Sequence, residues 1–366
     1  MELSVVILNY NAAPFLRLCL NSVIAATQNI ESEIIVADNN SQDNSLRMLQ
    51  MEFPQVKALA FDKNFGFSKG NNLAVQKASG RFLCILNPDT IVGEEVFDTC
   101  LAFAKARTQK KQSLGFLGVR LIDGSGNFLP ESKRHIPTPK VARQKLLGND
   151  EFYYFNEVLE KDRGAVEVLV GAFMFCEKSV YEDCGGFDER YFMYGEDIDL
   201  SYMALQKGYQ NYYLGDVNVI HFKGESTVKN KKYYDRFYGA MELFYLKYFK
   251  RSAFEKLITK AAVKSMVTLK SFGSTEVQTA DIEQVFVTES TNESRFQGKK
   301  TVSLKDEGDL TYSQLVFDTN HYKYQELIDF ISQRPNIFQY RFLDKKQQQI
   351  VGSDSSINQG VVEDFQ

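Results

Sequence analysis

The stretch "SVVILNYN" near the start of the chain constrains the fold more than any other. Its apolar residues do not alternate with polar ones, as they would in a strand with one wet face. Leu3 to Leu8 is a nearly continuous apolar run, the pattern of a strand buried on both sides. Such a strand needs a layer above and a layer below, and the following residues supply them in alternation. Pro14 opens a helix in which Leu16, Cys19, Leu20 and Val23 recur at helical spacing. "EIIVAD" (33–38) is the next strand, with "NSQDNS" as its polar exit. A short helix over about Ser45 to Glu52 leads past Pro54 to a third strand, "VKALAF". "GFSKGNNLAVQKASG" reads as a glycine-rich entry, a helix and Gly80 as its stop, and "RFLCILNPDT" as a fourth strand. Strands alternating with helices predict an α/β fold with a mainly parallel, doubly wound sheet.

The middle of the chain is less regular. "GFLGV" and "VEVLVGAFMFC" read as further strands, separated by a loop region that contains prolines. Residues 211–220 form a last strand or two and deliver His221 at their end. From about Lys229 the chain becomes aromatic and basic. Phe244 to Lys270 holds seven Lys or Arg (247, 250, 251, 256, 260, 264 and 270) against one acid, Glu255. A helix of that kind lies on an anionic membrane surface, or packs its aromatic face on the preceding domain with its lysines in water. Residues 273 to about 310 are polar, a linker with one strand at "QVFVT". "QLVFD", "YQELIDFISQ" and "YRFL" then read strand, helix, strand. Three parts follow: a domain over 1–228, a basic aromatic helical segment over 229–272, and a linker with a small α/β module over 273–366.

Composition excludes several classes. A formal charge of -4 gives no reason to expect nucleic acid as a partner. The five cysteines show neither a disulfide framework nor zinc-ligand spacing, which suits a reducing compartment. No charged segment followed by an apolar one opens the chain, and no run approaches the ~20 apolar residues that cross a bilayer. A cytoplasmic protein, peripheral at the inner membrane face if the basic segment binds lipid, is the expectation.

Ligands of an open parallel sheet bind beyond the carboxyl ends of its strands. Four successive strand ends deliver Asn or Asp there: Asn9 and Asn11, Asp38, Asn64, then Asn87 and Asp89. One such residue is ordinary turn chemistry; four on one edge suit a nucleotide. Asp38 can accept from a base or a ribose, or it can cap its own "DNNSQD" turn. "NFGFSKGNN" combines glycines with a helix start whose free N–H groups suit phosphate. Asp89 follows a very apolar strand, and hard divalent ions take one or two carboxylates plus substrate phosphate; His221 is either a further ligand or a satisfied histidine at a strand end. Glu196, Asp197 and Asp199 crowd the start of a helix in "GEDIDL". Acids are favoured at that end of the helix dipole. Residues two apart point to different faces, so one acid can serve as a general base while another pairs locally.

Taken together, "SVVILNYN", "EIIVADNNSQDNS", "NFGFSKGNN", "LNPDT", "VGAFMFCEKSVYEDCGGFDERYFMYGEDIDLSYMALQKGY" and "IHFKGES" resemble glycosyltransferase family 2, the inverting enzymes of GT-A fold, and within it the rhamnosyltransferase-like branch. The resemblance covers roughly residues 1–250. It implies Asp38 at the nucleotide base with Asn9 and Asn64 nearby, and Asn87 and Asp89 also on the donor nucleotide, Asn87 at the ribose or a metal-bound water. It also implies Asp89 and His221 on a divalent magnesium or manganese ion, Asp197 as the catalytic base, and Glu196 beside it near the acceptor. Asn87 stands where the family's DxD motif has its first acid. The implied reaction is a single displacement from a dTDP- or UDP-linked sugar to a glycan or lipid-linked glycan in cell-surface polysaccharide synthesis. A nucleotidyltransferase is the first alternative, but "NYNAAP" lacks the basic, glycine-rich loop such enzymes place after their first strand. A silent sugar-nucleotide-binding protein is the second, and it would have no use for Asp89, Asp197 and His221 together.

Overall fold

The computed structural model describes residues 1–110, 112–146, 149–222, 231–249, 284–288, 300–304, 313–344, 349–355 and 360–364. The first sheet begins with β1 (Leu3–Asn9), α1 (Ala13–Ala26), β2 (Ser32–Asp38), α2 (Ser45–Glu52), β3 (Lys57–Ala60), α3 (Phe67–Val75) and β4 (Phe82–Leu86). β5 (Thr90–Val92), α4 (Val96–Gln109) and β6 (Leu114–Ile122) follow. A looser stretch holds β7 (Lys133–Arg134), α5 (Pro139–Leu146), β8 (Arg163–Val166) and β9 (Val168–Leu169). β10 (Phe173–Glu177), α6 (Lys178–Asp183), α7 (Glu196–Gln206), β11 (Gln210–His221) and α8 (Lys231–Tyr248) complete this part.

The sheet order is β3-β2-β1-β4-β10-β6-β11-β5, with β8 on β11. The first four strands are parallel, as the alternation of elements predicts. β10 enters antiparallel between β4 and β6, and β5 pairs antiparallel with the end of β11. β1 is buried at every position because it lies at the centre between two apolar layers. Leu3, Val5 and Ile7 face one layer, shared with α1 and α4. Val6 and Leu8 face the other, shared with Ala74 of α3, Val180 of α6 and Leu200 of α7. All five cysteines lie free in the interior.

Gly80 does not stop α3, which ends at Val75; its N–H donates to Ser4 Oγ (2.8 Å), seating the chain against β1 before β4 begins. Residues 273–310 contain more than one strand. β12 (Gln284–Thr288) and β13 (Lys300–Val302) join β14 (Ser313–Asp318), β15 (Phe338–Asp344), β16 (Gln349–Gly352) and β17 (Val361–Asp364) in a second sheet of order β13-β12-β14-β15-β16-β17. Its first four strands are parallel, and α9 (Tyr324–Gln333) makes the crossover from β14 to β15. One face of this sheet shares a core with the first. Phe15, Ile91, Ile122, Ile220 and Phe222 pack with Phe317, Leu327, Ile331 and Phe342.

α8 packs on α7 rather than presenting its basic residues outward. Tyr202 of α7 meets Phe244 and Tyr248 edge-on, and Lys247 is tied into internal ion pairs. The other six basic residues of that segment lie outside the described residues. Among the described residues, no helix is long and apolar enough to cross a membrane.

Candidate active site

β1, β2, β3 and β4 are parallel, so their carboxyl ends form one edge and the residues after them converge there. Asn9 and Asp38 are register partners across β1 and β2. The Asn9 amide donates to Asp38 Oδ2 (2.9 Å) and to Ser41 Oγ (3.1 Å), while Asp38 Oδ1 accepts from the Ser41 N–H (2.8 Å). Asp38 is fully buried and caps its own turn, the alternative to meeting a base directly. Asn9 Oδ1 is buried with no partner among the described residues, the one acceptor this pair leaves over. Asn64 holds the next loop: its Oδ1 accepts from Asn39 Nδ2 (3.0 Å) and from the Gly66 N–H (2.9 Å). Asn39 completes the loop by accepting from the Phe65 N–H (2.8 Å). This end of the edge is thus a rim of hydrogen-bonded amides, with Asp38 beneath it.

Asn87, Asp89 and His221 meet at the end of β4. β11 brings His221 opposite Thr90, and the Phe222 N–H donates to the Asp89 carbonyl (3.0 Å). His221 Nε2 lies 3.4 Å from Asp89 Oδ1 and 3.4 Å from Asn87 Nδ2. One ring nitrogen cannot donate to the carboxylate and accept from the amide at once, and at 3.4 Å neither contact is a good hydrogen bond. Both side chains are almost fully buried. A carboxylate oxygen and an imidazole nitrogen facing each other without a proton well shared between them suit a cation between them. Among the described residues no group of three or more His, Cys, Asp and Glu is placed to hold a metal. Any cation held there would take these two ligands and draw the rest from water or substrate phosphate oxygens.

The three acids of α7 have three different surroundings. Tyr194 and Gly195 both have positive φ (72° and 78°), a reversal that glycine accommodates without strain and that aims the first turn of α7 inward. Asp197 Oδ2 accepts from Arg134 Nη2 (2.7 Å) and from the Gly171 N–H (3.0 Å). Among the described residues its Oδ1 takes only the N–H of Ile198 (2.8 Å), leaving that oxygen the one with room for a further partner. Burial opposes the charge on Arg134, but Asp197 beside it outweighs this and raises the guanidinium pKa above its ordinary value. Glu196 has no such partner. Burial, followed by the neighbouring charge of Asp197, pushes its carboxyl up to about 8, and its Oε2 meets no hydrogen-bonding group among the described residues. Asp199 faces away, onto Lys247 Nζ (2.7 Å) and Tyr191 OH (3.2 Å). Asp199 is thus paired with a later helix, while Asp197 faces Arg134 and Gly171, so residues two apart point to different sides of the helix.

Gly171 and Ala172 link the two ends. The Gly171 N–H donates to Asp197, and the Ala172 carbonyl accepts from the Asn87 N–H (3.0 Å). Arg134 and Asn39 are absent from the residues expected from sequence. Asn39 directly follows Asp38 and shares its signal; Arg134 sits in the irregular "ESKRHIP" loop, where no periodicity marks it.

Residues 4–181 match the family model described as glycosyl transferase family 2. The amino-terminal part of the chain belongs to that family. This glycosyltransferase is 28% identical over 244 residues to the N-acetylglucosaminyl-diphospho-decaprenol L-rhamnosyltransferase of Mycobacterium tuberculosis, covering 62% of this chain and 77% of the relative. It is 23% identical over 175 residues to the rhamnosyltransferase WbbL of Escherichia coli K12, covering 43% of this chain and 61% of that one. It is thus a rhamnosyltransferase-like member of the family, with the α/β GT-A fold. Among solved structures, S. aureus TarS 1–349 aligns with 71% of this chain and 68% of its own at a TM-score of 0.48 and 17% identity, too loose a likeness to carry any residue across. The family match ends at residue 181, so Glu196, Asp197 and His221 of the glycosyltransferase rest on their geometry.

Proposed function

We propose that this glycosyltransferase transfers a sugar, with inversion, from a dTDP- or UDP-linked donor to a lipid-linked saccharide. The nucleoside lies against the amide rim of Asn9, Asp38 and Asn64, and the diphosphate reaches Asn87, Asp89 and His221. Asp197 Oδ1 accepts the proton of the acceptor hydroxyl as its oxygen bonds to the anomeric carbon. The bond from that carbon to the diphosphate breaks on the opposite face, so configuration inverts. Arg134 and the Gly171 N–H hold Asp197 Oδ2 and thereby fix the direction in which Oδ1 points. Glu196, uncharged over most of the neutral range, adds no second negative charge beside the base. Asp89 and His221 would hold a divalent ion, which when bound supplies positive charge to the departing diphosphate.

The observation that carries this reading is the bridge of Gly171 and Ala172 between Asp197 and Asn87. A base and a leaving-group site on adjacent residues of one short segment are what an in-line displacement needs. The lipid-linked acceptor is drawn from the named reaction of the mycobacterial relative. Nucleoside diphosphate release from a panel of UDP-, dTDP- and GDP-sugars, with manganese or magnesium and again with chelator, tests the proposal. Metal-dependent release from one donor, accelerated by a lipid-linked saccharide, is expected. Transfer that retains configuration at the anomeric carbon would overturn the single displacement.

A further inference from the structure

We propose that the carboxy-terminal module is a working part of the donor end of the site: it holds the edge strand β5, which sets Asp89 against His221 at the end of β11, and Glu94 is the positioning residue through which it grips. This rests on the reading of Asp89 and His221 as the diphosphate and metal end. β5 is only three residues long and lies at the edge of the first sheet; among the described residues its strand partner is the end of β11, and the Val92 N–H donates to Ser22 Oγ of α1 (3.2 Å). An edge strand so short has little to hold it in register by itself. Its two ends matter unequally: Asp89 precedes it directly, and His221 pairs with its first residue.

The module closes over this strand pair in three ways. The cross-strand pair Ile91 and Ile220 points into the core shared with Phe317, Leu327 and Phe342. Phe222, the residue after His221, sits edge-on between Phe15 (5.2 Å) and Phe342 (5.9 Å). Beyond the far end of β5, the Glu94 carboxylate accepts from the Tyr324 and Gln325 N–H groups at 2.8 and 2.9 Å, one oxygen to each. These are the free donors of the first turn of α9, which an ionised acid satisfies best. Gly93, just before it, lies directly against the end of the Gln325 side chain. Similar ties run along the neighbouring turn: the Asn127 and Asn336 amides pair reciprocally at 2.8 and 2.7 Å, and the Asn336 N–H donates to the Ser125 carbonyl (2.8 Å). A shift of α9 is therefore a shift of β5 against β11, whose end β6 holds from the other side, and that shift sets the approach of Asp89 to His221.

The test is binding of UDP and dTDP to the full chain by titration calorimetry, in manganese and again in chelator. Glu94→Ala is expected to weaken the metal-dependent binding about tenfold, the scale on which groups behind metal ligands act. Glu94→Gln, which keeps acceptor capacity but loses the charge and disturbs the fold less, should fall between it and the wild type. Binding in chelator, carried by the rim around Asn9 and Asp38, should stay unchanged in both. Ile350→Val, on the opposite apolar face of the module's sheet, should alter neither. Equal loss with and without metal, or no loss at all, in the Glu94 variants overturns the inference and leaves the module a stabilising appendage. Asp89→Ala separates the two levels. If it spares metal-dependent binding, the donor-end reading fails and this inference with it; if it abolishes that binding while Glu94→Ala does not, only the inference fails.

Discussion

Glu196, Asp197 and Asp199 show how one helix start can assign three carboxylates to three roles by their partners alone. Asp197 has a guanidinium and a backbone N–H on one oxygen and a nearly free second oxygen. Asp197→Asn should lower turnover by about 10²–10⁴, the usual range for a lost general base, with nucleoside diphosphate binding retained. Loss of binding in step with activity would make the residue structural. Glu196 supports a different prediction. Its folded-state pKa, about 8, lies above its ordinary value of 4.5. The folded chain therefore holds the proton where the unfolded chain has released it, and stability falls as pH rises through that interval. Glu196→Gln keeps the neutral form at all pH. Its melting temperature should match the wild type near pH 4 and exceed it by a margin that grows toward about pH 8. A margin that does not change with pH would show that Glu196 is not held protonated. The sequence marked all three acids by their position, but their division of labour was not legible. It depends on Arg134 and Lys247, one in an irregular loop and one in a later helix.

Between elements, the contact of α8 with α7 is where the sequence-based expectation and the structure part most clearly. Lys247 belongs to a run whose charge points to a membrane surface, yet it lies largely buried between Asp188 and Asp199 at 2.8 and 2.7 Å. Burial works against its charge, but its hydrogen bonds to Asp188 and Asp199, with Tyr248 beside them, together outweigh it and raise its pKa. Asp199 is raised too, because deep burial costs its carboxylate more than Lys247 returns. A charge pair in this state is worth little net, but removing one partner strands the other. Lys247→Met should therefore destabilise the chain by ~3 kcal/mol, read from denaturant unfolding. Lys247→Met combined with Asp199→Asn should recover most of that loss, because neither charge is then left alone. A double variant as unstable as the sum of its singles would show that the pair does not couple the two helices. No charge count along the chain could reveal this contact, since it joins residues 48 positions apart.

At the scale of the whole molecule, what the sequence made legible is what local periodicity dictates. The four parallel strands, their helices and the polar residues at their ends follow from apolar runs that each element carries within itself. The antiparallel entry of β10, and the pairing of β5 with the end of β11, do not, because a strand's partner is chosen by the rest of the sheet. β13, β16 and β17 were missed for a simpler reason: "KTV", "QIVG" and "VVED" are too short or too polar to stand out. Docking of the second sheet on the first rests on a shared apolar core and on caps and amide pairs between residues some two hundred positions apart, such as Asn127 and Asn336, which leave no local mark. The same distinction bears on the basic segment that follows α8. With Lys247 used internally, six Lys or Arg remain from Lys250 to Lys270 against Glu255. Each basic residue near an anionic surface contributes about 1 kcal/mol at most, and salt screens it within about 8 Å at physiological ionic strength. Six such charges support weak, reversible attachment, which would suit the lipid-linked acceptor proposed above. The full chain should sediment with vesicles containing anionic phospholipid, less so as salt is raised, and not with vesicles of neutral lipid alone. Replacing Lys256, Lys260 and Lys264 by Gln should abolish that sedimentation while leaving donor binding intact. Attachment that survives both the replacement and high salt would place the membrane contact elsewhere, on the apolar surface of the chain rather than its charge.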